Sequence, residues 1–143
     1  MMSVERFLSN DLISVMFDLA YSSYENREFP FSFYNYVCEQ VTTKVPEIDG
    51  FYYDKYFENV VVDVKIDVDE KEYPEVARKV EEVFWEAFND KNGYCEWKRK
   101  RIEELIVKKA KELSTKSSLR EGLHIIEDII NLTERLQEEC FGT

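Results

Sequence analysis

Asp63, Lys65, Asp67 and Asp69 fall at alternate positions of residues 59–69, NVVVDVKIDVD. Side chains alternate across a strand, so these four share one face with Val61, while Val60, Val62, Val64, Ile66 and Val68 share the other. Three carboxylates and one ammonium on a single strand face suit two kinds of chemistry. They can hold a cation, or they can meet a cationic surface. Asp49 lies before the neighbouring short strand candidate, residues 51–54, and would come close to Asp63 if the two segments pair as a hairpin.

Asp49-Gly50 followed by Asp63-Val64-Lys65 on a valine-rich strand locally resembles the PD-(D/E)xK nuclease motif. The resemblance implies that Asp49 and Asp63 hold a divalent metal and that Lys65 helps activate the attacking water. Ile48 stands where that family carries its proline, and Asp63 where glutamate is commoner. The metal-dependent nuclease is therefore one alternative reading of this face.

The other charged stretches give less chemistry. Asp67, Asp69, Glu70 and Glu72 lack the glycine turn and closing glutamate of a calcium loop, and Pro74 intrudes. Trp97-Lys98-Arg99-Lys100-Arg101 sets four cations beside an aromatic, which would suit phosphate contact and base stacking. Consecutive helical residues point all round the axis, however, so the favoured expectation is that these cations meet acidic groups of the same protein or of a second copy. His124 is the sole histidine, and Cys38, Cys95 and Cys140 form no CxxC pair. No zinc site of ordinary ligands can be built within one chain from that set. The thiols read as reduced cysteines of a cytoplasmic protein, and no cofactor is expected.

Charge sorts the remaining function classes. The chain has a net charge of −11, but residues 94–120 alone carry +5, against −9 for residues 1–70 and −5 for residues 121–143. An excess of this sign repels nucleic acid and anionic membranes by default. No apolar run is long enough to span a bilayer, and the first residues lack the pattern of a secretory signal. The hydrophobic fraction of 44% excludes disorder, and 143 residues suffice for a single domain with a sizeable core.

The elements that must position these groups are mostly helical. Residues 3–25 carry Val4, Phe7, Leu8, Leu12, Val15, Met16 and Leu19 at helical spacing, with Ser9-Asn10 as an alternative start. Residues 26–29 read as a polar break. Pro30 fits the first turn of a second helix, which Pro46 ends. The stretch 21–36 holds seven aromatics, and any patch of them left exposed would be a partner site. Asp69-Glu70-Lys71-Glu72 has capping-box spacing, and the helix from Pro74 to about Asp90 has the cleanest apolar stripe, making it the expected cover for the valine face. Asn92-Gly93 reads as a helix stop, and a fourth helix follows over about residues 96–113, with a strand at 94–98 as the alternative. Ser118 opens the last helix, whose Leu119, Leu123, Ile126 and Ile130 form one stripe and whose Ile125, Ile129, Leu132 and Leu136 form another. So wide an apolar arc is central to the fold or shared with a second copy.

The resulting expectation is an α+β fold of about five helices around a small antiparallel hairpin. Its leading function is non-enzymatic. Asp49, Asp54, Glu58, Asp63, Asp67, Asp69 and Glu70 would present carboxylates to a basic surface on a protein partner. If that partner binds nucleic acid, the carboxylates substitute for phosphates and the protein acts as a decoy, by analogy with small phage-encoded inhibitors of defence nucleases. A self-assembling subunit, dimeric through the last helix, is the remaining alternative.

Overall fold

The computed structural model describes residues 3–25, 29–115 and 118–136. Cys140, the break residues 26–28 and the side chain of Leu136 lie outside that set. The fold is α+β, with five helices and one two-stranded antiparallel sheet: α1 (Asn10–Glu25), α2 (Phe33–Lys44), β1 (Ile48–Asp54), β2 (Asn59–Val64), α3 (Tyr73–Phe88), α4 (Lys91–Thr115) and α5 (Leu119–Leu136). By contact the chain divides into two compact units, Met1–Lys91 and Asn92–Thr143.

In the first unit the helix starts obey local capping chemistry. The Ser9 hydroxyl oxygen accepts the Leu12 N–H at 3.1 Å, so the alternative start of α1 is the one adopted, and Val4–Phe7 forms a separate 3-10 turn. Ser9 in turn donates to a carboxylate oxygen of Glu81 on α3. Pro30 sits in another 3-10 turn, Phe29–Phe31, rather than in the first turn of α2. The cap of α2 is Ser32, which accepts the Asn35 N–H at 3.2 Å. Asp69 accepts the Lys71 N–H and opens a 3-10 turn that leads into α3, with Pro74 in its first turn.

The hairpin pairs Phe51 with Val62 and Tyr53 with Val60 on its inner face, and all four are buried. α2 lies closest against β1, and α1 touches both strands. α3, the expected cover, packs chiefly on α2 and the N-terminal turn, and its Phe84 reaches Phe51 with ring centroids 6.1 Å apart. The valine strand β2 is thus met by the N-terminal turn and α1, while α2 lies on β1. Leu12, Met16, Val37, Val41, Val60, Val76, Val80 and Phe84 form the fully buried centre of this unit.

The strand is shorter than its alternation suggests. Pairing stops at Ile48 opposite Val64, and Lys65 donates its N–H to the Glu47 carbonyl at 2.9 Å before the chain turns, with Val68 N–H bonded back to the Lys65 carbonyl. Ile66, read from the pattern as inward-facing, is fully exposed. A strand persists only while a neighbour supplies hydrogen bonds, and β1 has run out.

In the second unit α4 and α5 are antiparallel. Lys109 pairs with Asp128 at 3.5 Å, and Leu113 Cδ1 lies 3.3 Å from where a Cβ on Gly122 would stand, so contacts move back along α5 as they move forward along α4. The Ser118 hydroxyl accepts the Glu121 N–H at 3.4 Å and caps α5. Gly93 does not stop a helix. It lies inside α4 without a positive φ, and residues 94–98, the alternative strand, are helical too.

Candidate functional site

The hairpin and the loop after it bring the sequence-selected carboxylates into two groups. At the open end, Asp49 occupies a bulge in β1, beside the register pair of Gly50 and Asp63. An added Cβ at Gly50 would stand 3.0 Å from Asp63 Oδ2, so the absence of a side chain at position 50 leaves room for the Asp63 carboxylate. Asp67, Asp69 and Glu70 follow in the loop leaving the same end of β2. At the turn end are Asp54 and Glu58. Four residue steps along β1 separate Asp54 from Gly50, about 13 Å at the usual rise of a strand. The seven carboxylates therefore do not form one regular ladder. Asp67 and Asp69 lie beyond the strand, which corrects the alternating face expected for them.

Two of the seven are committed to local structure. Asp54 Oδ1 accepts the N–H groups of Tyr56 at 2.9 Å and Phe57 at 3.2 Å, closing the turn. Asp69 serves as the cap described above. Asp49, Glu58, Asp63, Asp67 and Glu70 are exposed, and no lysine or arginine among the described residues forms an ion pair with them.

Between the two acidic ends the outer face of the ribbon is apolar. Tyr52 pairs with Val61 there, and Tyr52 is exposed. At the turn Tyr56 is 86% and Phe57 71% exposed, their rings edge to face with centroids 4.8 Å apart. Lys55 folds back so that its Nζ lies 4.9 Å from the centroid of the Tyr21 ring and 4.1 Å from that of Tyr24 on α1. Tyr21 continues to Phe17 and Tyr53, and Tyr24 stacks on Phe29 at 4.9 Å. Sequence reasoning flagged the aromatics of 21–36 but missed Tyr52, Tyr56 and Phe57. The signal available was Tyr56-Phe57 in a segment already read as a turn, where nothing could bury two large rings.

For the nuclease alternative, the hairpin does bring Asp49 near Asp63. Lys65 lies one residue past the end of β2, where its N–H still reaches the Glu47 carbonyl. Among the described residues no group of three or more His, Cys, Asp or Glu side chains is placed to hold a metal ion.

The basic cluster lies on α4 and is dispersed around it. Lys98 is buried, with its Nζ 5.7 Å from the Tyr94 ring centroid. Arg99 pairs with Glu96 at 2.8 Å and Glu103 at 3.9 Å, and Arg101 lies over the Trp97 ring at 5.1 Å. Bonding to Glu96 holds the Arg99 guanidinium above its usual pKa. The expected satisfaction by acids of the same protein is met for Arg99 within its own helix. A hollow of 330 Å³ on α4 is lined by Lys100, Glu103, Glu104 and Val107 from that helix alone, and no convergent chemistry faces it.

Burial pushes the Cys38 thiol up to about 12, so it is held as a neutral thiol near Tyr34 rather than as a nucleophile. His124 is exposed on α5, 4.0 Å from Glu127. Among the described residues no helix is long and apolar enough to cross a membrane.

No family model, no curated protein and no solved structure matches this chain.

Proposed function

We propose that the first unit is a non-enzymatic docking module for a basic surface on a protein partner, and that the β1–β2 ribbon and its following loop are the contact. The observation that carries this reading is the set of five exposed carboxylates without ion-pair partners among the described residues, Asp49, Glu58, Asp63, Asp67 and Glu70, on the ribbon and the segment that follows it, with Tyr52, Tyr56 and Phe57 exposed on the same ribbon. Charge alone steers and selects a partner, while large rings that become buried on contact supply the affinity. Residues 1–91 hold nine Lys/Arg against twenty Asp/Glu, so this unit contains the whole net charge of the chain. In its narrower form the basic surface is a nucleic-acid-binding groove, and the protein occupies it as a decoy.

The test is capture from lysate of the native host, with and without nuclease treatment, followed by titration of the captured protein against charge reversals at Asp63, Asp67 and Glu70. Weaker binding with a shallower salt dependence supports the reading. Unchanged affinity and salt dependence overturn it. Cleavage of DNA with Mg²⁺ or Mn²⁺ above that of a Lys65→Ala control would replace it with the nuclease. Loss of the captured protein on nuclease treatment would mean that nucleic acid bridges the two.

A further inference from the structure

α5 has two apolar faces, and among the described residues only one is buried. Ile125 and Leu132 are buried, and Gly122 lies against Leu113 of α4. Leu119, Leu123, Ile126 and Ile130 form the second face and are 80%, 53%, 42% and 51% exposed. Their spacing of four, three and four residues is the d, a, d, a pattern of a heptad seam. The same frame makes Arg120, Glu127 and Glu134 the e positions along one flank, while Gly122 and Ile129 hold the g positions on the other.

We infer that this seam is a two-fold interface at which α5 pairs antiparallel with α5 of a second copy, so that Leu119 packs on the partner's Ile130, Leu123 on the partner's Ile126, and Arg120 faces the partner's Glu127. Three features select a second copy in this orientation. Each of the four layers becomes a leucine against an isoleucine, a self-complementary arrangement of the kind that a two-fold axis requires. Antiparallel seams bring e positions against e positions, and here those are opposite charges, Arg120 and Glu127, meeting twice across the axis. A parallel pair would instead set the charged e positions against Gly122 and Ile129. Opposed helix dipoles favour the same choice. Net charge does not resist it, because residues 92–143 hold ten Lys/Arg and ten Asp/Glu. With α4 behind each α5, the assembly is a four-helix bundle. It requires nothing of the ribbon and stands independently of the docking role proposed above.

Sedimentation equilibrium on the full chain tests this. At about 100 μM wild type is expected to run at twice the chain mass of 17.1 kDa, a concentration at which micromolar dimers are fully formed. Ile126→Glu should run as a monomer with unchanged helical circular dichroism. Because Arg120 and Glu127 are exposed, their substitution does not threaten the fold. Arg120→Glu and Glu127→Arg should each weaken the dimer about tenfold by setting like charges together, and the double swap should return it to within about threefold of wild type. A monomeric wild type overturns the inference. So does a dimer indifferent to Ile126→Glu, or one that both single reversals weaken and the double swap fails to restore.

Discussion

The phenolic oxygen of Tyr34 on α2 accepts the backbone N–H of Tyr53 on β1 at 2.7 Å, in a buried setting. β1 is half of a two-stranded sheet, so one of its edges has no strand beside it. A side chain from the covering helix takes the place that a third strand would fill. Burial raises the Tyr34 hydroxyl well above its ordinary pKa, and it stays neutral across the physiological range. Tyr34→Phe keeps the ring and deletes the acceptor, leaving a buried N–H without a partner. The expected cost is about 1–3 kcal/mol, read as a lower urea midpoint with an unchanged slope.

Stability should fall at alkaline pH, and the sign follows from burial. Cys38 rises from its ordinary 9.0 to about 12, and Tyr34, Tyr36 and Tyr53 are also raised, chiefly by desolvation. The native state therefore holds these protons more tightly than the unfolded chain. Their contribution is complete below about pH 9 and is lost as pH climbs through the raised values, with each fully coupled group costing about 1.4 kcal/mol per unit. Urea midpoints measured from pH 8 to pH 11 should decline, and Cys38→Ala should flatten the first part of that decline. Alkylation at pH 8 should spare Cys38 until denaturant is added.

The contrast between Val60 and Ile66 measures where the strand stops. Both belong to the same alternating run, but Val60 is buried between the ribbon and its helices while Ile66 is fully exposed in the loop. Val60→Ala should cost about 2 kcal/mol through lost burial and the cavity left behind. Ile66→Ser should fall within about 0.5 kcal/mol of wild type, as expected for a surface site. Equal costs would mean that the strand continues through Ile66.

These positions also show how far the chain could be read before its structure. The period-two pattern located the hairpin and its inner face, and Ser118 located the start of α5; Ser9 was the alternative start that α1 adopts, and Asp69 caps the 3-10 turn leading into α3 rather than α3 itself. The strand's end was not legible, because alternation records what each residue prefers, while its pairing depends on a partner strand that begins only at Ile48. Asn92-Gly93 failed as a stop for a related reason. A glycine permits a left-handed turn but does not impose one, and α4 carries straight through it. Of the candidate site, the identity of the acids was legible. The departure of Asp67 and Asp69 from the strand face was not, since it follows from the chain turning away after β2.

Glu58 adopts a φ of +52° in the turn between β1 and β2, in the left-handed region where a side chain is strained and glycine is free. A residue kept in that conformation at some cost is a reason to ask what its side chain does. Glu58 is exposed and without an ion pair among the described residues, and it sits one position after Phe57 at the tip of the proposed contact. Glu58→Gly should relieve the strain and stabilise the protein by about 0.5–1 kcal/mol, net of the greater flexibility of glycine when unfolded. The same change removes a carboxylate from the docking surface. A higher melting temperature together with weaker partner binding is the expected pair of results, and Glu58→Asn, which tolerates the left-handed turn without the charge, should reproduce the loss of binding. If Glu58→Gly stabilises the fold and binds the captured partner as tightly as wild type, the turn end of the ribbon is not part of the contact, and the acidic group around Asp49 and Asp63 must account for it.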